Sequence, residues 1–230
     1  IEDHFDRDHQ LLATLEARGK KELVQLALDT EIPLGKLLVT RQHTPLGLGH
    51  AVWCARDIVG NEPFAVILPD EIVLHSIGCL SQLMNVYQEQ GGNVVALMDV
   101  PRAMIKNYGA IAGESVGGNT LSITQMVEKP DPAEAPSTMS ITGRYILQPQ
   151  IFDHLAKNKK GAGGEIQLTD AMQELLEEQK FSGVLFDGKR YDCGHKLGFI
   201  EANIAFALDR NDMRGDVIGL LETYLKQAKP

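Results

Sequence analysis

The feature that most limits the folds open to this chain is an alternation of short apolar runs with longer helical segments over its first hundred residues. Apolar runs at 36–40, 64–68 and 93–100 predict buried strands, and the continuous run 64–68 is typical of a central parallel strand. Helices are predicted within 8–28, where Gly19 interrupts the pattern, and at about 50–59 and 76–90. Strands separated by helices favour an α/β fold with helices on the faces of a largely parallel sheet.

The pattern changes after residue 100, where strand-like segments follow one another without helices between them. Segments 110–114 and 121–128 flank the turn residues Gly117, Gly118 and Asn119, which predicts a hairpin, and 140–147 predicts a further strand. Helices are predicted at about 149–157, 166–180, 196–210 and 216–227, with a short strand at 184–186. We expect residues 1–230 to form one domain, with the helices of 196–230 as a candidate oligomer contact.

The charge balance excludes several classes of partner. The chain has 22 basic and 31 acidic residues, a net charge of −9, so it lacks the overall basic character of proteins that bind nucleic acid or anionic membranes. A small anionic ligand needs only a few aimed donors and remains compatible with this charge. Three widely spaced cysteines fit neither a disulfide framework nor a zinc motif, and we expect a cytoplasmic protein without a signal peptide. No apolar run reaches the roughly 20 residues of a membrane helix.

Two segments of the first half carry groups suited to a nucleotide. Gln42 precedes a loop with Gly47 and Gly49, where a ligand can approach the backbone closely, and an amide side chain can pair with a pyrimidine edge. The same glycines also fit a plain turn into a helix. Asp70 directly follows the run 64–68, at the sheet edge where α/β folds bind ligands, and is either a Mg²⁺ ligand or a turn residue. Glu71 is expected to point elsewhere and to be structural.

Three later segments add further candidates. Glu128 could accept hydrogen bonds from sugar hydroxyls and Lys129 could meet a phosphate, although this segment taken alone favours a surface ion pair. Asp192 is a candidate second metal ligand and Lys196 a candidate phosphate contact, or else a helix cap and a solvated lysine. The segment from Gly163 to Asp170 is expected mainly to cap a helix and match its dipole.

The order of these segments resembles the bacterial UDP-glucose pyrophosphorylases over essentially the whole chain. The specific parts are Pro-Leu-Gly-Leu-Gly-His-Ala from Pro45 and Asp-Cys-Gly-His-Lys-Leu-Gly from Asp192. The other matching segments are Leu68-Pro69-Asp70, Tyr108-Gly109, Val127-Glu128-Lys129-Pro130, Gly143-Arg144-Tyr145 and the run from Gly164 to Asp170. The resemblance implies a Rossmann-like nucleotidyltransferase fold with a mixed, mostly parallel sheet. It also implies an enzyme that joins UTP and glucose 1-phosphate into UDP-glucose and pyrophosphate with Mg²⁺, as a homodimer or homotetramer.

Roles for individual residues follow from the same resemblance. Gln42 and the backbone near Gly47 would contact uracil, with His50 in the same binding segment. Gly109, Glu128 and Gly143 would contact glucose, and Lys129 and Lys196 the phosphates. Asp70 and Asp192 would hold Mg²⁺, and together with Lys129 they form the expected catalytic set. Neither His50 nor His195 is expected to act as a general base, because the attacking phosphate oxygen is already ionised.

One departure and three alternatives remain open. The family begins with a strand and a loop of the form Gly-x-Gly-Thr-Arg that cradles the triphosphate, and nothing after Ile1 matches it. We therefore expect the chain to be N-terminally incomplete, and a chain lacking this loop to be inactive. The alternatives are a non-catalytic regulatory paralogue, an enzyme for another sugar nucleotide, and a dinucleotide-binding oxidoreductase. Against the last, Gly47-Leu48-Gly49 is followed by Val52 where that motif needs glycine.

Overall fold

The computed structural model describes residues 5, 7–33 and 35–228. The expectation that the chain is N-terminally incomplete concerns residues 1–4, which lie outside the described residues. The chain divides into two compact units, Ile1–His43 and Thr44–Pro230.

Within its described residues, the first unit carries the short helices α1 (His9–Ala17) and α2 (Lys21–Asp29). The side chain of Asp8 caps α1 by accepting a hydrogen bond from the Leu11 N–H at 2.8 Å, and Gly19 lies between the helices with a φ of 67°. The predicted strand at 36–40 is wrong. Those residues form no strand, and Leu38 and Val39 are 64% and 50% exposed. An apolar run becomes a strand only where a neighbour completes its hydrogen bonds, and the described part of this unit contains no other strand.

The second unit carries a six-stranded sheet, a separate two-stranded ribbon and seven α-helices within its described residues. Its elements are α3 (Leu48–Trp53), α4 (Arg56–Val59), β1 (Phe64–Ile67), β2 (Glu71–Leu74), α5 (Cys79–Gln90), β3 (Asn93–Asp99), a 3₁₀ helix (Arg102–Asn107), β4 (Gly109–Gly117), β5 (Thr120–Glu128), β6 (Met139–Leu147), α6 (Ile151–Leu155), a 3₁₀ turn (Ala162–Gly164), α7 (Leu168–Leu176), β7 (Phe181–Leu185), β8 (Lys189–Asp192), α8 (Lys196–Asp209) and α9 (Arg214–Gln227).

The strand order of the large sheet is β1-β6-β3-β7-β5-β4, with a further contact between β6 and β4. The β3–β7 pair is parallel, whereas the other neighbouring pairs in the described sheet are antiparallel. The prediction of a mixed sheet is therefore confirmed, and the prediction that it is mostly parallel is wrong. The reason is that β4, β5 and β6 follow one another without crossover helices, and only such crossovers join parallel neighbours.

The core lies on both faces of this sheet, and β3 shows why. Val95 and Leu97 pack into one cluster with α3, α6 and α7, while Val94 and Ala96 pack into another with α5. All four are at most 1% exposed. Because successive side chains of a strand point to opposite faces, a strand that is covered on both faces has a continuous apolar sequence.

Strand β1 does not hold the central position that its sequence predicts. It lies at the end of the described strand order, antiparallel to β6, and Ile67 is 52% exposed. The predicted helix at 50–59 is also two short helices, α3 and α4, with Cys54 and Ala55 between them. The hairpin and the four C-terminal helices are confirmed as β4–β5 and α6 to α9, with bounds within a few residues of those predicted.

The ribbon of β2 and β8 was not predicted. Its antiparallel register places Glu71 opposite Asp192 and Val73 opposite Arg190. Each strand of the ribbon has four residues, which are too few to show a clear alternation of apolar and polar residues in the sequence.

Among the described residues, no helix has the length and apolar character needed to cross a membrane.

Candidate active site

The ribbon brings Asp70 and Asp192 together, because Asp70 immediately precedes β2 and Asp192 ends β8. The Cys193 N–H donates to the Asp70 carbonyl at 2.7 Å, and the Gly194 N–H donates to Asp192 Oδ1 at 3.1 Å. A Cβ placed on Gly194 would lie 3.0 Å from Asp70 Oδ2 and 3.2 Å from Asp192 Oδ1. Both carboxylates therefore border one small space, which glycine keeps open.

This donor set fits a divalent cation that is shared with a ligand. Magnesium is commonly bound by one or two carboxylates together with substrate phosphates and water. Within the described residues, no group of three or more His, Cys, Asp or Glu side chains could enclose a metal by itself. Two carboxylates beside open space would leave the remaining coordination positions to phosphate and water oxygens.

Arg190 and Glu71 form an ion pair directly beside these carboxylates. Arg190 Nη2 donates to Glu71 Oε1 at 2.5 Å, and Nε donates to Glu71 Oε2. The two side chains are only 9% and 15% exposed. Burial opposes the charge on Arg190, but the hydrogen bonds and charge of Glu71 outweigh it, so the pKa of the guanidinium is raised. The expectation that Glu71 points away from the site is wrong, because its neighbour across the ribbon is Asp192 itself.

A cavity of about 660 Å³, here called the carboxylate cavity, opens at this end of the ribbon. It is lined by both candidate metal ligands, by the ion pair and by residues of the 3₁₀ helix and α8: Asp70, Glu71, Met104, Asn107, Tyr108, Arg190, Tyr191, Asp192, His195, Leu197, Gly198 and Glu201. Gly198 lets α8 approach β8, since a Cβ there would lie 2.1 Å from the Asp192 carbonyl oxygen.

A second cavity of about 150 Å³, here called the glycine cavity, shares Glu71, Asn107 and Tyr108 with the first. Shared lining residues make the two cavities neighbours in one cleft. The glycine cavity also contains all three residues that the resemblance assigns to glucose: Gly109, Glu128 and Gly143. Their assignment to glucose stays a prediction, but the structure places them around one space.

The glycines of this cavity are required by close packing. A Cβ on Gly109 would lie 2.8 Å from Thr169 Oγ1 and 3.2 Å from Glu128 Oε2, and one on Gly143 would lie 2.8 Å from the Glu71 side chain. Thr169 and Gln167 also line the cavity. They belong to the segment that the sequence assigns to helix capping, and neither caps α7 with its side chain.

The two candidate lysines lie near the cleft. Lys129 has a φ of 46°, its N–H donates to the Tyr108 carbonyl at 3.0 Å, and its Nζ lies 3.7 Å from Glu128 Oε1. Such a backbone conformation is costly for a residue with a Cβ. Lys196 is exposed at the start of α8, between His195 and Leu197 of the carboxylate cavity.

The predicted nucleotide segment is only partly placed against this cleft. Gln42 belongs to the first unit. Gly47, with a φ of 108°, precedes α3, and its Cβ would lie 2.8 Å from the Glu165 Cβ and the Ile166 carbonyl oxygen, so here glycine serves close chain packing. His50 stacks on Trp53 at 5.9 Å between ring centroids. Neither Gly47 nor His50 is among the residues that line the two cavities, although Leu48 lines the glycine cavity.

Comparison with known proteins gives one consistent family. Residues 11–208 match the nucleotidyl transferase family model. A UTP–glucose-1-phosphate uridylyltransferase of Bacillus subtilis is 42% identical over 229 residues, which cover 100% of this chain and 78% of the relative. One of Komagataeibacter xylinus is 44% identical over 195 residues, 85% of this chain and 69% of the relative.

Solved structures agree. A UTP-bound UGPase of Acinetobacter baumannii superimposes with a TM-score of 0.86 at 32% identity and covers 96% of this chain and 77% of its own. A UDP-glucose pyrophosphorylase complexed with UDP-glucose gives 0.78 at 35% identity, with 91% and 76% coverage.

Proposed function

This chain belongs to the nucleotidyl transferase family, among the UTP–glucose-1-phosphate uridylyltransferases, and we propose that the cleft formed by its two neighbouring cavities is where UTP and glucose 1-phosphate become UDP-glucose and pyrophosphate. The observation that carries this assignment is the position of the Asp70–Asp192 pair. It lies beside a cavity that holds Gly109, Glu128 and Gly143. A charge-neutralising site and a small polar cavity in one cleft suit a phosphate ester of a sugar.

The reaction needs positioning and charge neutralisation more than proton transfer. A phosphate oxygen of glucose 1-phosphate forms a bond to the α-phosphorus of UTP, and the bond from that phosphorus to the pyrophosphate oxygen breaks. The attacking oxygen is already ionised, so no side chain has to remove a proton from it. His195, which lines the carboxylate cavity, therefore has no base role in this proposal.

Asp70 and Asp192 are the residues that would hold Mg²⁺ in this proposal. When bound, the cation supplies positive charge against the phosphates of the nucleotide. Lys129 and Lys196 would add positive charge from the side chains, one beside each cavity. The backbone conformations of the two lysines differ, because Lys129 has a left-handed conformation whereas Lys196 is the first residue of α8.

The sugar would occupy the glycine cavity. Glu128 is 11% exposed there and could accept hydrogen bonds from sugar hydroxyls. Gly109 and Gly143 present backbone without side chains, so a hydroxyl can approach their peptide groups closely.

The uracil contact of Gln42, Gly47 and His50 is proposed from the sequence resemblance. Gln42→Ala should raise the KM for UTP while leaving the KM for glucose 1-phosphate unchanged, because an amide that pairs with the base does not touch the sugar. Equal rises in both constants would contradict that assignment.

A homodimer or homotetramer is proposed through the C-terminal helices. Helices α8 and α9 expose several large apolar side chains, namely Leu197, Phe199, Ile200, Ile218, Leu220, Tyr224 and Leu225. Exposed apolar patches favour association. Sedimentation of a single species at the monomer mass would contradict this proposal.

The function is tested by calorimetric titration of UDP-glucose into the full-length protein with and without Mg²⁺. We expect binding that strengthens with Mg²⁺ and that weakens at least about tenfold in Asp70→Ala, because even loss of a residue that only orients a metal ligand costs about 10–100-fold in metal affinity. Asp216→Ala, on exposed α9, is the matched control and should bind as the parent does. An absence of UDP-glucose binding in the parent would favour the regulatory paralogue, and tighter binding of dTDP-glucose would favour an enzyme for that sugar nucleotide.

A further inference from the structure

The ion pair of Glu71 and Arg190 lies beside the candidate metal ligands: both residues line the carboxylate cavity, and Glu71 also lines the glycine cavity. Glu71 follows Asp70 in the chain and lies opposite Asp192 across the ribbon. Arg190 is two residues before Asp192 on β8, so the two side chains project from the same face of the strand. Three carboxylates therefore meet at one end of the ribbon, with Arg190 among them.

This concentration of negative charge needs a counter-charge. Like charges directly opposite each other on antiparallel strands destabilise the pairing, and Glu71 and Asp192 stand in that relation. Arg190 resolves the conflict by contacting both of them: Nη2 lies 2.5 Å from Glu71 Oε1 and 3.3 Å from Asp192 Oδ2. A planar guanidinium with a fixed fork of donors is suited to hold two carboxylates in a defined relation.

Asp192 is consequently held at both of its oxygens. Oδ2 accepts from Arg190 Nη2, and Oδ1 accepts from the Gly194 N–H at 3.1 Å. Each oxygen keeps further acceptor capacity, and the Oδ1 side borders the space shared with Asp70. Arg190 Nη1 also lies 3.3 Å from the hydroxyl of Tyr108, which lines both cavities, so the same side chain touches the shared wall of the cleft.

We propose that Glu71 and Arg190 act as a positioning pair: Arg190 fixes the rotamer of Asp192 for a divalent cation, and Glu71 neutralises and anchors Arg190 so that its charge does not repel that cation. The inference rests on the proposed function, and neither residue is a metal ligand or a catalytic residue in it. Outer partners of metal ligands commonly contribute 10–100-fold to metal affinity in this way.

The proposal and a simple charge effect predict opposite results for Arg190. If Arg190 acted only as a nearby positive charge, Arg190→Gln would tighten cation binding and Arg190→Lys would leave it unchanged. If Arg190 positions Asp192, both variants weaken cation binding, because neither side chain reproduces the fork that reaches Glu71 and Asp192 together.

The experiment uses Mn²⁺ as the probe and has two readouts. Mn²⁺ affinity is measured by electron paramagnetic resonance with saturating UDP-glucose, and UDP-glucose affinity is measured separately by calorimetry in EDTA. We expect Mn²⁺ affinity to fall about tenfold or more in Arg190→Lys and Arg190→Gln, with little change in the metal-free affinity for UDP-glucose. A general structural defect would lower both affinities, and that result would overturn the positioning role.

Lys189→Gln is the matched control. Lys189 is the neighbouring residue of β8 and forms an exposed ion pair with Glu201, with Nζ 2.6 Å from Oε1. This variant removes one positive charge and one ion pair from the same ribbon, so it should leave Mn²⁺ affinity unchanged. If Arg190→Gln does not fold, as thermal unfolding would reveal, Arg190→Lys decides the question, because it keeps the charge beside Glu71.

Coupling between the two partners tests the pair itself. Glu71→Gln should weaken Mn²⁺ binding, and the double variant with Arg190→Gln should be no weaker than the weaker single variant, because each residue acts through the other. Additive losses would show two independent effects and would overturn the pair. Failure of the parent to bind UDP-glucose would overturn the proposed function, whereas normal parent binding with Arg190→Lys equal to the parent would overturn only this inference.

Discussion

The N–H of Cys193 donates to the carbonyl oxygen of Asp70 at 2.7 Å, and this single bond joins two segments that lie far apart in the sequence. It continues the pairing of β2 with β8 beyond the end of β8. As a result, a turn after the edge strand of the sheet and a turn before α8 form one wall of the cleft. The position of each aspartate therefore depends on the other turn.

Gly194→Ala tests the space between the two carboxylates. The new methyl group would lie 3.0 Å from Asp70 Oδ2 and 3.2 Å from Asp192 Oδ1, where a cation is proposed to bind. We expect Mg²⁺-dependent affinity for UDP-glucose to fall about tenfold, which corresponds to about 1.4 kcal/mol, with little change in the free energy of unfolding. Calorimetry and urea unfolding check the two parts. Gly215→Ala, where a Cβ meets nothing within 4 Å, is the control and should change neither affinity nor cleft geometry.

Glu128→Gln tests the sugar contact in the glycine cavity. The carboxylate is nearly buried beside Gly109, and hydrogen bonds to a charged group contribute roughly 1.5–3 kcal/mol. In the full-length protein, the kcat/KM for glucose 1-phosphate should therefore fall about 10–100-fold, as steady-state kinetics would show. Glu114→Gln, exposed on β4, should leave it unchanged. A loss confined to the KM for UTP would contradict the placement of the sugar.

Lys129→Gly separates stability from function. The φ of 46° at Lys129 is unfavourable for a residue with a Cβ by about 1–2 kcal/mol. Glycine removes this cost but also removes the charge proposed to meet phosphate. We expect a higher free energy of unfolding together with lower kcat, measured by urea unfolding and steady-state assays.

Asn158→Gly is the matched comparison for Lys129, because Asn158 also has a positive φ, of 51°, and lies away from both cavities. Its free energy of unfolding should rise by less than that of Lys129→Gly, since Asn tolerates this conformation better than Lys. The variant should keep full activity. Unchanged activity in Lys129→Gly would remove Lys129 from the proposed catalytic set.

Glu174→Gln tests the acid stability of the second unit. Hydrogen bonds from Lys157, Lys159 and His154 lower the pKa of Glu174 to about 2. A carboxylate with a depressed folded-state pKa contributes stability above its unfolded pKa near 4.5, and this contribution is lost as the pH falls from about 4.5 to 2.

The variant should be less stable than the parent at neutral pH and should lose less stability across that acid range. Urea unfolding at a series of pH values measures this difference. Exposed Glu177→Gln is the control and should keep the parental pH dependence. If the free energy of unfolding of Glu174→Gln fell with pH as steeply as that of the parent, the hydrogen bonds of Glu174 would not govern the acid stability.

The amino-acid sequence alone predicts the elements whose periodicity is long and one-sided. The amphipathic helices α5 and α7 and the hairpin of β4 and β5 could be predicted because burial of one face, or turn residues such as Gly117 and Gly118, leaves a local pattern. It also determined the candidate residues Asp70, Glu128, Lys129 and Asp192, because their order matches one family. Periodicity, turn residues and the order of motifs are all properties of the linear sequence, so they can be found without the tertiary structure.

Which residues share the cleft depends on the folded chain and could not be predicted from local sequence patterns. The antiparallel pairing of β6 with β1 and β3 and the ribbon of β2 and β8 depend on partners distant in sequence, and a four-residue strand carries too little pattern to reveal them. Arg190 and Glu71 were missed for the same reason. An ion pair between residues that far apart has no local signature, and a charged residue is recognised as part of a site only when the fold shows what it contacts.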